Sequence, residues 1–144
     1  MSSTVYMDGV FDLFHVGHLD AFKQMRELGT TVIIGVVSDN DAQAYKRKPI
    51  IPENERCEII KNCSLVNEVI FPAPLKVTPT FLKDHGIDIV VHAFANQADM
   101  DAQEEFFRDI PLHKINYSTR TSTSHILSNI SYFLEHSVQS VLQV

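Results

Sequence analysis

The stretch Tyr6-Met7-Asp8-Gly9-Val10-Phe11-Asp12-Leu13-Phe14-His15-Val16-Gly17-His18 ends one β-strand and opens the helix that follows. That junction is where an open parallel sheet presents its ligand. Gly9 permits close backbone approach, and Gly17 lets the chain turn into the helix beside a phosphate. A helix N-terminus there offers unpaired amides and partial positive charge to an anion. His15 and His18 lie three apart, so both imidazoles project from the first helical turn toward one point. Two such donors suit the charge that grows on a phosphate under in-line attack, and near neutrality they donate without a permanent charge. A metal pair is disfavoured, because no third ligand of suitable spacing follows.

Outward from this junction, strands and helices alternate. Runs rich in β-branched and apolar residues cover Thr4–Met7, Thr31–Val37, Glu68–Phe71 and Asp88–His92, with a weaker one at Leu112–Tyr117. Between them the spacing predicts helices over His18–Leu28 and Asp39–Tyr45, and from about Glu53, where Ile59 and Ile60 face inward. Another is punctuated by Thr78 as N-cap, Pro79 in the first turn and Gly86 just past the end. This alternation implies right-handed βαβ units and a parallel sheet covered on both faces, in one domain over residues 1–144. The last segment, Thr123–Leu142, carries a stripe of Ile126, Leu127, Ile130, Phe133, Leu134, Val138, Val141 and Leu142. It is expected to pack on the domain's own sheet; a sharper alternative sends its last turns to a partner subunit.

The 144 residues include 44% apolar and 21% charged side chains, enough for a core without disulfide staples. A net charge of -6 argues against a general nucleic-acid binder, while leaving room for a small anionic substrate at a local basic cluster. Cys57 and Cys63, the only cysteines, are placed on different faces of a helical stretch and suit a reducing compartment. No stretch reaches transmembrane length and no basic-then-apolar leader opens the chain, so a cytoplasmic protein is expected. The one dense basic run, Tyr45-Lys-Arg-Lys-Pro49, reads alone as a solvated loop and beside the histidine motif as a phosphate clamp. Ser122, Thr123 and Ser124 open the last helix, where capping and phosphate binding use the same amides. Arg56 either anchors its helix or reaches a triphosphate. Asp12 and Asp39 are structural acceptors or reach ribose, amine or metal-bound water.

Taken in order, Asp8-Gly-Val-Phe-Asp-Leu-Phe-His-Val-Gly-His18, Gly35-Val-Val-Ser-Asp39, Lys46 ahead of Glu53-Asn-Glu-Arg56, Asn67-Glu-Val-Ile70, Ala73-Pro74, Ile87-Asp88 and Ser122-Thr-Ser124 resemble one family. It is the cytidylyltransferases of choline phosphate, ethanolamine phosphate and glycerol 3-phosphate, within the His-x-Gly-His nucleotidyltransferases. The resemblance runs from about Val5 to Ile130. It implies a Rossmann-like three-layer α/β/α fold on a five-stranded parallel sheet, a homodimer, and CTP with Mg²⁺ and a small phosphorylated alcohol as reactants. His15, His18 and Lys46 would be catalytic. Nucleotide contacts would come from Gly9, Val10, Phe11, His15, His18, His92, Arg120, Ser122, Thr123 and Ser124. The acceptor would meet Asp12, Lys46 and Arg56.

Two departures stand out. The family usually carries Arg-Thr-x-Gly-Ile-Ser-Thr-Ser/Thr before its last helix, and here the run is Tyr117-Ser-Thr-Arg-Thr-Ser-Thr-Ser124. Tyr117 falls at the arginine and Arg120 replaces the glycine, which alters the backbone approach unless Arg120 swings onto the same phosphates. After the fourth strand, His92-Ala-Phe-Ala95 stands where an acidic pair is usual. His92 is then a packed strand-end residue or a nucleotide contact. The chain has no tryptophan, and Leu75 follows Ala73-Pro74 where choline-handling relatives tend to place an aromatic. A quaternary ammonium is best held by an aromatic box, so phosphoethanolamine is favoured over phosphocholine. Glycerol 3-phosphate or a flavin nucleotide as acceptor, and a degenerate domain that binds without turnover, are the competing expectations.

Overall fold

The computed structural model describes residues 2–137. Five parallel strands form one sheet: β1 (Thr4–Gly9), β2 (Thr31–Val36), β3 (Glu68–Ile70), β4 (Ile89–Phe94) and β5 (Leu112–Asn116). Their spatial order is β3-β2-β1-β4-β5, with β1 paired to β2 along its whole length and to β4 at Val5 and Tyr6. The helices are α1 (Val16–Leu28), α2 (Asp39–Tyr45), α3 (Glu53–Lys61), α4 (Pro79–His85), α5 (Gln97–Gln103) and α6 (Thr123–His136). The predicted Rossmann-like parallel sheet with helices on both faces is what the chain adopts. Strand order reverses direction at β1, which puts the ligand crevice over the carboxyl ends of β1 and β4.

The two-residue period of the strands divides the core. Val5 and Met7 of β1, with Val32, Ile34 and Val36 of β2, face Phe22 and Met25 of α1 and Cys57 and Ile60 of α3. Tyr6, Ile33 and Val90 face the other way, onto Val77, Leu82 of α4 and Ile87. Helix ends follow local chemistry. The Thr78 hydroxyl accepts from the Phe81 amide, Pro79 opens α4, and Gly86 closes it in the left-handed region at φ 63°.

Several expectations need correcting. Helix α1 begins at Val16, with His15 itself as N-cap, earlier than the apolar period places it. Ile60 is buried but Ile59 is 40% exposed, so only one of the pair faces inward. Cys63 lies beyond the end of α3, and both free thiols border the same apolar cluster rather than opposite faces of a helix. Helix α5 and a following 3₁₀ turn at Glu104–Phe107 have no apolar stripe; the signal that marks α5 is Asn96, whose side chain caps the Asp99 amide. Helix α6 does not settle onto the sheet: none of its residues is buried, and Phe133 is 52% exposed. Val138, Val141 and Leu142 lie outside the described residues.

Candidate active site

The turn after β1 is bent by two non-glycine residues in the left-handed region, Phe11 at φ 54° and Leu13 at φ 50°. Such backbone persists only where packing fixes it. Here the Phe11 ring is buried, edge-on to Phe22 and to His18 at 5.5 and 5.3 Å. A Cβ on Gly9 would sit 2.9 Å from that ring, so Gly9 makes room for Phe11 rather than for a ligand. The Phe11 ring therefore packs against His18 from within the core.

The two imidazoles stack with centroids 3.8 Å apart and planes at 22°. The His15 Nδ1 accepts from the Gly17 amide at 3.0 Å, and the His18 Nδ1 accepts from the His15 amide at 3.2 Å. A nitrogen that accepts carries no proton, so in both rings the hydrogen sits on Nε2. Burial keeps both below the usual imidazole range. For His18, burial and then the neighbouring His15 bring it down to about 3. At neutral pH the pair is thus two uncharged Nε2–H donors locked in one tautomer. A Cβ on Gly17 would meet the His15 ring at 2.8 Å and the Thr121 carbonyl at 3.0 Å, which is the steric reason for that glycine.

Asp12, buried to 4% exposure, turns away from the crevice and organises the basic loop. Its carboxylate accepts from the Ile50 and Ile51 amides at 2.8 and 2.9 Å, from its neighbour Leu13, and from Arg47 at 3.1 Å. Burial alone would raise its pKa, but those two amides and Arg47 outweigh it and hold it below the usual carboxylate range. Arg56 is 1% exposed and spends its guanidinium on the Ile51, Val10 and Val37 carbonyls and on Asp39 at 2.7 Å. Two of the three residues expected at the acceptor, Asp12 and Arg56, are therefore tied into the scaffold, as is Asp39. Lys46, at the end of α2, is left exposed over the Tyr45 ring and makes no ion pair among the described residues. Its field reaches both His18 and His92.

The segment before α6 lies antiparallel along the start of α1. Thr123 Oγ1 donates to the Asp12 carbonyl at 3.2 Å and accepts from His15 Nε2 at 3.3 Å. Ser122 caps α6 through the His125 amide, which leaves the Thr123 and Ser124 amides without a partner among the described residues. Arg120 has an ordinary negative φ, so losing the usual glycine costs no backbone strain. Its Nε bonds Asp20 at 3.0 Å.

His92 lies within β4, paired to Lys114 and two residues short of the strand end, with Nε2 directed at Gln103 Oε1 3.1 Å away and its ring against Phe94 and Phe107. It is packed as expected and held by α5, but the strand runs on past it to Phe94 instead of ending there. Asp8, which sequence reasoning passed over, is the carboxylate at the carboxyl end of β1. No cation pairs with it among the described residues, and burial lifts it to about 6. Its charge in turn pushes up the phenols of Tyr6 and Tyr45, after burial itself. The available sign was its place beside Gly9 at the end of the first strand run.

Comparisons with known proteins agree with this geometry. The choline-phosphate cytidylyltransferase of Saccharomyces cerevisiae is 36% identical over 131 residues, covering 88% of this chain and 31% of that protein. An ethanolamine-phosphate cytidylyltransferase of Arabidopsis thaliana is 42% identical over 92 residues, 61% of this chain and 22% of the relative. The chain thus spans about a third or less of these relatives. A lipopolysaccharide core biosynthesis protein from Thermoplasma volcanium shares the fold, with a TM-score of 0.66 at 23% identity over 84% of this chain and all of that one. The pattern of the cytidylyltransferase-like family matches residues 6–133, nearly the whole described chain, and with the paired histidines at the first strand–helix turn it shows that this chain belongs to that family.

Proposed function

We propose that this chain is a CTP-dependent nucleotidyltransferase that passes CMP to a small phosphorylated alcohol, phosphoethanolamine before phosphocholine, in phospholipid synthesis. The observation that carries the proposal is the stacked pair of neutral Nε2–H donors at the mouth of the crevice. An acceptor phosphate oxygen attacks the α-phosphorus of CTP, the bond from that phosphorus to the bridging oxygen breaks, and pyrophosphate leaves with the electron pair. No proton need be removed from an ionised phosphate, so the protein's work is alignment and charge neutralisation. His18 donates to the oxygens gathering charge, and His15 joins it once its Nε2–H turns from the Thr123 hydroxyl to the substrate. Lys46, a mobile point charge, bridges the two phosphates. The amides of Thr123 and Ser124 receive the leaving pyrophosphate at the N-terminus of α6.

Mg²⁺ enters with CTP as part of the substrate. Among the described residues no group of three His, Cys, Asp or Glu side chains could hold a metal by itself. The preference for a primary ammonium rests on Asp8: a half-buried carboxylate with no cation beside it among the described residues is an acceptor for a hydrogen-bonded cation, and no tryptophan is present to wall a quaternary one. Lipid precursors of this kind are made in the cytoplasm in this reading, and the chain works as a homodimer. The exposed Ile130, Phe133 and Leu134 of α6 supply apolar surface for it.

Pyrophosphate release from MgCTP tests the proposal, with phosphoethanolamine, phosphocholine and glycerol 3-phosphate offered separately. Turnover with phosphoethanolamine above the other two is the expected result. Turnover with ATP but not CTP overturns the cytidylyl assignment. Measurable CTP binding with no turnover on any acceptor selects a non-catalytic domain.

A further inference from the structure

The strap from Ser118 to Thr123 docks on the first two turns of α1 at three successive places. Thr123 meets His15, the Thr121 carbonyl passes over Gly17, and Ser118 and Arg120 meet Asp20. The last contact is a closed set. The Ser118 hydroxyl donates to Asp20 Oδ2 at 2.8 Å and accepts from the Arg120 amide at 3.1 Å, and Arg120 Nε donates to the same Oδ2 at 3.0 Å. Only Nε is used. The two terminal nitrogens of Arg120 donate to nothing among the described residues, and the side chain is 54% exposed. A carboxylate that grips Nε fixes the plane of the guanidinium and leaves its terminal fork free, the edge that matches a phosphate in bidentate fashion. Beside it lies an open cleft of about 300 Å³, bordered by Ser118, Arg120, Ser122 and His125. That cleft adjoins the open amides at the start of α6.

We infer that Arg120 is a triphosphate-binding side chain and that Asp20 is its positioning residue, the pair taking the place of an arginine anchored elsewhere in the strap. An exposed ion pair of this kind adds little stability on its own, so a stabilising role does not account for it. The inference rests on the nucleotidyltransferase reading for its ligand, but not on the identity of the base or the acceptor.

Calorimetric binding of inorganic tripolyphosphate and of CTP to the whole chain tests it. Arg120→Ala weakens both at least about tenfold, the scale of a charge-assisted contact, while KM for CTP rises more than kcat falls. Arg120→Lys does not fully rescue, because an ammonium has no planar fork to stay bidentate on a phosphate while its other edge is held by Asp20. Asp20→Asn weakens binding by a smaller factor in the wild-type background and by none in the Arg120→Ala background; a merely structural aspartate would cost the same in both. Binding by Arg120→Ala within about twofold of wild type overturns the inference, as does full rescue by lysine. If tripolyphosphate binds and depends on Arg120 while CTP is never turned over, the function proposed above fails and this inference stands. If wild type turns CTP over and Arg120→Ala is unimpaired, the inference alone fails.

Discussion

Replacing Asp8 with asparagine separates what the fold needs from what the proposed substrate needs. In the folded chain burial lifts this carboxyl from 3.8 to about 6. Its contribution to stability is therefore present below pH 3.8, where both states hold the proton, and is lost as pH rises through about 6. At about 1.4 kcal/mol per pH unit, the lift corresponds to at most about 3 kcal/mol lost by pH 7. An amide does not titrate, so every other group cancels in the comparison of wild type with Asp8→Asn. Urea unfolding of both proteins between pH 4 and 7.5 reads the difference. Wild type is expected to fall relative to Asp8→Asn by up to about 3 kcal/mol over that range. In the same variant KM for phosphoethanolamine rises, while that for glycerol 3-phosphate, which carries no ammonium, changes little. A stability difference flat with pH within about 0.5 kcal/mol would refute the claim that Asp8 is held ionised at a cost.

His15→Ala or His18→Ala should lower kcat at least about 100-fold, the scale of losing one preorganised donor; a tenfold or smaller loss from both would make them scaffold. Because burial holds His18 neutral down to about pH 3, nitrogen-15 NMR of the imidazole should find it protonated on Nε2 and unprotonated on Nδ1 from pH 8 to 5. Its folded-state pKa is depressed, so the stability it contributes is present above pH 6.5 and is lost as pH falls toward 3. Lys46→Ala should slow turnover sharply yet leave the melting temperature nearly unchanged, since the side chain is exposed. Arg56→Ala should do the reverse. It strips four hydrogen bonds from a buried site and leaves Asp39 unpaired, a loss of about 3–5 kcal/mol by urea unfolding.

Much of this protein was written locally. Strand runs, the caps of α4 and the His-x-Gly-His turn depend on residues within one or two turns of each other, so the parallel sheet and the place of the crevice could be read without coordinates. The start of α1 could not, because His15 caps the helix with its own ring, a use of histidine that apolar spacing does not signal. Asp12, Arg56 and Asp8 show the larger limit. All three are charged residues in or near phosphate-binding motifs, and by type they are interchangeable candidates. Their roles were set mostly by partners 17 to 46 residues distant: the Ile50 and Ile51 amides close on Asp12, three carbonyls and Asp39 on Arg56, and nothing of opposite charge on Asp8.

The amino-acid order alone determined the fold, the family and the two histidines, because hydrophobic period and helix capping are short-range physics. Which charged groups remain free to meet a ligand was decided only when distant backbone amides and carbonyls came within 3 Å of them. Long-range hydrogen bonding consumes charges that sequence spacing cannot tell apart.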